Sequence, residues 1–220
     1  MRKNLIFVGV IIILIIAGVL IYKFLPKKEI NNKEKITMPE NTLEGKKVAI
    51  IMAFKDFRDA EYFVPKEILE RAGAKITTVS TQKGKALGAD GGEVEINLTL
   101  EELKADDFDG VVFIGGPGAL KELDNEKSYS LIREIVSQNK VLGSICISPV
   151  ILAKAGVLRN KKATVWSSPL DRGPIKILKE NGATYVPEEV VIDGKIVTAN
   201  GPDAAEEFGM KLVGLLTLTP

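Results

Sequence analysis

Two kinds of apolar run alternate along residues 46–216. Short runs rich in β-branched residues lie at 48–52, 75–80, 110–114, 141–145 and 163–166, and a strictly alternating run lies at 94–98. All of the first kind read as strands, those at 48–52, 110–114 and 141–145 as buried ones, and the alternating run fits a half-buried strand. Between them, apolar side chains recur three and four residues apart at 60–72, 100–104, 126–138, 149–155, 174–180 and 204–216, the spacing of helices with one buried face. Residues 190–192 and 196–199 flank Asp193-Gly194, a hairpin signal. Strands alternating with helices predict an α/β domain whose mostly parallel sheet carries helices on both faces.

The N-terminal pattern is different. Residues 5–22 form eighteen uncharged, almost wholly aliphatic positions, enough for a helix of roughly 27 Å. Arg2 and Lys3 precede the run; Lys23, Lys27 and Lys28 follow it. A cleaved leader is the alternative, but no small-x-small cleavage signal stands near Lys23. The reading is a single-pass transmembrane anchor at 1–22, a polar linker at 23–45 and a globular domain at 46–220. The flanking charges leave open which side of the membrane the domain occupies.

Composition narrows the chemistry. Net charge is +1, so no nucleic-acid-binding surface is indicated. The chain has no histidine, which excludes an in-chain Cys-His or Ser-His pair and removes the commonest metal ligand. Acid–base work falls to carboxylates, Lys, Tyr or a thiol. The single cysteine, Cys146, follows the 141–145 run, and Ser148-Pro149 then reads as an N-cap with Pro at the first helical position. A thiol between a strand end and a helix N-terminus is expected to have a lowered pKa and to be reactive; the plain alternative is a buried core cysteine.

In open α/β sheets, ligands bind beyond the carboxyl ends of the strands. Besides Cys146, two other segments project there. One is the stretch Phe57-Arg58-Asp59-Ala60-Glu61, and the other is Gly115-Gly116-Pro117-Gly118. Alone, Glu61 reads as a solvated residue of a first helical turn, and the glycines read as a tight turn. The glycine cluster is neither a dinucleotide-binding fingerprint nor a P-loop.

Together these segments resemble the ThiJ/PfpI family. They are an acidic residue followed closely by proline (Glu61 to Pro65), an apolar strand ending in Gly115-Gly116, and Ile145-Cys146-Ile147-Ser148-Pro149. The stretches at 155–158 and 198–202 also match. The resemblance implies a flavodoxin-like three-layer sandwich with a nucleophile elbow, on the class I glutamine-amidotransferase-like fold. Carried over by position, it implies Cys146 as nucleophile, Glu61 as its carboxyl partner, and the N–H groups of Gly116 and Ile147 as an oxyanion-binding pair. It implies no cofactor or metal, a small-molecule carbonyl substrate, and a homodimer.

The chain departs from the family in two places. Peptidase-type members have His where Ile147 stands, and some deglycase-type members have His where Ser168 stands. Both losses argue against Cys-His proteolysis. Three further readings follow: a glyoxalase- or deglycase-type enzyme, a redox-responsive or protective protein without enzymatic activity, and a tethered homologue whose site has decayed.

Overall fold

The computed structural model describes residues 42–219. The expected anchor at 5–22 lies outside the described residues; among the described residues no helix is long and apolar enough to cross a membrane.

A seven-stranded sheet forms the centre, in the order β11-β12-β8-β7-β1-β3-β6. Its strands are β1 (Lys47–Ile51), β3 (Lys75–Ser80), β6 (Leu98–Thr99), β7 (Gly110–Phe113), β8 (Val141–Ile145), β11 (Val190–Asp193) and β12 (Ile196–Ala199). All neighbouring pairs are parallel except β11 with β12, the expected hairpin. The helices are α1 (Asp59–Arg71), α2 (Ala119–Glu122), α3 (Glu126–Ser137), α4 (Pro149–Lys154), α5 (Gly173–Glu180) and α6 (Ala205–Thr217). This is the three-layer α/β sandwich that the alternating pattern predicts.

The continuous apolar strand runs have a simple cause. Successive side chains of β1 point to opposite faces. Val48 and Ile50 join a core with Tyr62 and Leu69 of α1 and with Phe208, Leu212 and Leu216 of α6. Ala49 and Ile51 join the core on the other face, with Leu131, Ile132 and Ile135 of α3 and Ile175 and Leu178 of α5. Both faces are covered, so no polar alternation survives in the central strands. Leu43 is also fully buried, and its N–H bonds to the carbonyl of Ala72 at 2.7 Å, so the packed unit includes it.

Three local expectations need correction. No helix forms at 100–104. Leu98–Thr99 instead pairs with β3 as an edge strand, the chain turns, and a 3-10 helix follows at Ala105–Asp107. Leu100 and Leu103 are buried by that turn, and their three-residue spacing imitates helical periodicity. The 163–166 run contributes only β9 (Lys162–Ala163), paired with β10 (Thr184–Tyr185) in a separate small sheet. The hairpin turn is Gly194-Lys195, because Asp193 pairs with Ile196. The alternating run at 94–98 contributes β5 (Glu93–Ile96), which belongs to a separate three-stranded sheet; its companions β2 (Lys55–Phe57) and β4 (Gly84–Gly88) escape the pattern. Both are short, polar or glycine-bearing, and lack the β-branched signature of a strand.

The sheet order places the site. From β1 the chain moves outward through β3 to β6, then returns to the other side of β1 as β7 and continues through β8 to β12. The order reverses between β1 and β7, and such a switch point opens a crevice at the strands' carboxyl ends.

Candidate active site

Cys146 lies one residue beyond β8 with φ +63°, in the left-handed region. A non-glycine residue there is strained and persists only where its surroundings over-determine it. Here the Cys146 N–H donates to the carbonyl of Ala199 at 2.9 Å, and the Cys146 carbonyl accepts from the Trp166 N–H at 2.8 Å. The next turn is pinned as well, but not as an N-cap. Ser148 has helical backbone angles and makes no capping bond; its Oγ donates to the carbonyl of Ile114 at 2.8 Å. The hydroxyl therefore ties the start of α4 to the end of β7, and the helix itself is only six residues long.

Glu61 stands in the first turn of α1 and is fully buried. It lies on the same helical stripe as Pro65 and Ile68, which explains its burial. Oε2 accepts the Gly115 N–H at 3.1 Å. Oε1, equally buried, makes no hydrogen bond of normal geometry, and after burial itself the Cys146 thiol is the strongest influence on this carboxyl.

The two glycines after β7 are required by contact. A Cβ on Gly115 would stand 2.6 Å from Cys146 Cβ and 2.8 Å from Glu61 Oε2, so the backbone of Gly115 fits between the two side chains. Gly116 has φ +104°, and a Cβ there would meet the Arg58 nitrogen at 2.4 Å. The backbone N–H groups of Gly116 and Ile147 both favour negative charge on the sulfur.

The four residues Cys146, Glu61, Gly116 and Ile147 thus form one cluster. Its electrostatics differ from the expected lowered thiol pKa. Burial pushes Cys146 up to about 12, and the adjacent Glu61 charge adds to it; the N–H groups of Gly116 and Ile147 act in the opposite direction without prevailing. Burial likewise raises Glu61 to about 7, against the interactions with Cys146 and the Gly115 N–H. A two-turn helix supplies little dipole to offset desolvation. Between the two titrations the pair holds a single proton, and the apparent pKa values belong to the pair.

Above Cys146 opens a cavity of about 260 Å³, lined by Arg58, Gly116, Pro117, Leu120, Cys146, Ile147 and Trp166. Arg58 and Trp166 were not singled out by sequence. Arg58 sits inside the acidic motif, and only the fold places it at this cavity. Ser168, where some relatives have histidine, uses its hydroxyl to accept the Asp171 N–H at 3.0 Å in an exposed turn. Among the described residues no three His, Cys, Asp or Glu side chains cluster as metal ligands do.

A family model described as DJ-1/PfpI matches residues 46–215. An uncharacterised protein of Methanocaldococcus jannaschii is 39% identical over 184 residues, covering 83% of this chain and 86% of that protein. A deglycase of Pyrococcus horikoshii is 31% identical over 167 residues, covering 76% of this chain and 98% of the deglycase. The crystal structure of a ThiJ/PfpI domain protein from Brachyspira murdochii superposes with a TM-score of 0.75 at 34% identity, over 80% of this chain and all of that one.

Proposed function

This chain belongs to the DJ-1/PfpI family, and we propose that it converts small reactive carbonyl compounds by a cofactor-independent reaction of glyoxalase or deglycase type. The observation that carries this reading is geometric: a buried thiol on strained backbone packed beside a fully buried carboxyl, with Gly115 between them; burial raises that carboxyl to about 7. Deglycases among its relatives support the same reading.

In the proposed reaction the Cys146 sulfur bonds to the aldehyde carbon of a 2-oxoaldehyde. Ionised Glu61 takes the thiol proton and passes it to the carbonyl oxygen, giving a hemithioacetal. The N–H groups of Gly116 and Ile147 stabilise the negative charge developing on that oxygen. A proton shift from the former aldehyde carbon to its neighbour, by way of an enediol, gives a thioester of a 2-hydroxy acid. Water then hydrolyses the thioester and restores the thiol. Every step uses groups on the chain and one water.

The redox-sensing alternative needs a thiolate. The carbonyl reaction needs the thiol deprotonated as well, and it is the deglycases among the relatives that rank the carbonyl reading ahead. Proteolysis lacks the histidine that its chemistry requires. The test is incubation of the purified protein with methylglyoxal. The expected result is lactate formation, with a mass adduct on the peptide carrying Cys146. Absence of both would refute the proposal.

Residues 5–22 support a further part of the proposal, a single membrane anchor holding this domain at a bilayer surface. The full chain is expected to stay with membranes through a high-salt wash, because the binding is hydrophobic rather than ionic. Release by salt alone would count against the anchor.

A further inference from the structure

We infer that Arg58 makes this site selective for carbonyl compounds that carry an anionic group, such as the short 2-oxo acid glyoxylate. The inference rests on the carbonyl reading above and narrows its substrate class.

Among the described residues Arg58 is the one charged residue lining the cavity over Cys146; Pro117, Leu120, Ile147 and Trp166 make the rest of the wall largely apolar. At about 260 Å³ the cavity lies below the roughly 300–1,000 Å³ of pockets that take drug-sized ligands, so its ligand is small. A small ligand in an apolar wall with one cation is discriminated chiefly by its charge and its fit to that cation.

The guanidinium is held in place. The Arg58 backbone N–H donates to the carbonyl of Gly115 at 3.2 Å, fixing the residue beside the glycine turn. Nη1 donates to Asp90 Oδ1 at 2.8 Å. Asp90 is positioned in turn by Asp59 in the first turn of α1: Asp59 Oδ2 accepts the Asp90 N–H at 2.9 Å, and its Oδ1 accepts the N–H of Gly92. The loop 88–92 therefore serves as a bracket for the guanidinium. Asp90 engages only Nη1, and the remaining guanidinium N–H groups make no hydrogen bond among the described residues.

The Asp90 side chain is 52% exposed, so solvent screens its charge, and the Arg58 charge also acts on Glu61 and Cys146 at the cavity. Arginine binds a planar carboxylate through paired N–H donors, and such charge-assisted pairs are strong and directional. With a carboxylate so held, the neighbouring carbonyl carbon lies within the same small cavity as the sulfur. For glyoxylate the step balances as an addition. The S–C bond forms, the C=O π bond opens, and the thiol proton passes through Glu61 to the new hydroxyl.

Alkylation of Cys146 tests this without requiring turnover. Second-order rate constants for iodoacetate and iodoacetamide are measured on the full chain and on the Arg58→Gln and Arg58→Lys variants, with thermal unfolding as the check on folding. The expected iodoacetate-to-iodoacetamide ratio falls at least about tenfold in Arg58→Gln and is largely retained in Arg58→Lys. In the native protein, raising salt slows iodoacetate and leaves iodoacetamide unchanged, a readout that holds even where a variant fails to fold. Glyoxylate adds to Cys146 more readily than methylglyoxal, and Arg58→Gln reverses the order. A ratio unchanged in a folded Arg58→Gln variant, or salt-independent in the native protein, overturns the inference even while methylglyoxal is consumed. A falling ratio with no carbonyl adduct at all sinks the carbonyl reading and leaves an anion-selecting cavity.

Discussion

Replacing Glu61 with glutamine is expected to make Cys146 easier to alkylate while removing carbonyl turnover. In the native site burial raises the thiol to about 12, with the Glu61 charge next in size. Glutamine carries no charge, so the second contribution disappears and the thiol pKa falls. The side-chain oxygen can still accept the Gly115 N–H, the one normal hydrogen bond that Glu61 makes through its side chain, so the fold is kept. The proton shuttle is lost. General acid–base catalysis by a positioned side chain contributes roughly 10²- to 10⁴-fold, and turnover should drop by that factor. Rates of iodoacetamide labelling against pH, measured beside methylglyoxal consumption, check both halves. A raised thiol pKa in this variant would mean that the native partner is a protonated carboxyl stabilising a thiolate. Unchanged reactivity across the pH range would mean the two side chains do not interact.

Gly115→Ala is the second large effect. The new methyl carbon would stand 2.6 Å from Cys146 Cβ, 2.8 Å from Glu61 Oε2 and 2.9 Å from the Ile145 carbonyl oxygen. Two of these neighbours cannot swing aside. The carbonyl belongs to the backbone of β8, and Cys146 Cβ is fixed by a residue bonded at both its N–H and its C=O. Relief therefore requires the Gly115 segment to move, which breaks its bonds to Glu61 and to the Arg58 N–H. Overpacking of this kind costs about 1–3 kcal/mol. For a domain of this size that lowers the melting temperature by several degrees, at roughly 2–4 °C per kcal/mol. Turnover should fall far more than stability does, because the displaced atoms separate the thiol from its carboxyl. A variant with native melting and native activity would show that the close packing at Gly115 is not needed.

Much of this was legible in the residues themselves. Runs such as 110–114 and 141–145 announce buried parallel strands because both faces of the sheet are covered, and the strand ends then fix where chemistry can sit. Cys146 and the paired glycines were visible as a strand-to-turn junction. The burial of Glu61 was less visible: a carboxylate at the start of a helix usually faces water, and only the stripe it shares with Pro65 and Ile68 reveals the opposite. The thiol's raised pKa is not visible in the sequence, because desolvation depends on what surrounds the sulfur in three dimensions. The Ser148-Pro149 pair has the local text of a cap, yet the hydroxyl bonds to Ile114, distant in sequence. In the small sheet the alternation at 94–98 announces β5, but β2 and β4 stay hidden because polar and glycine-bearing strands leave no apolar period. Its β4–β5 loop carries Asp90, the partner of Arg58, so the residue proposed to read substrate charge depends on a feature that periodicity does not reveal.

The central claim is that Cys146 and Glu61 act on carbonyl compounds through one shared proton, and the pH dependence of kcat/KM for methylglyoxal tests it most directly. Above about pH 7 the pair holds one proton and Glu61 can accept the thiol's; below it both groups are protonated and no base remains. The account predicts activity that falls as pH drops through about 7, approaching tenfold per pH unit below it. A profile flat from about pH 5 upward, with its decline near the ordinary carboxylate value of 4.5, would contradict it.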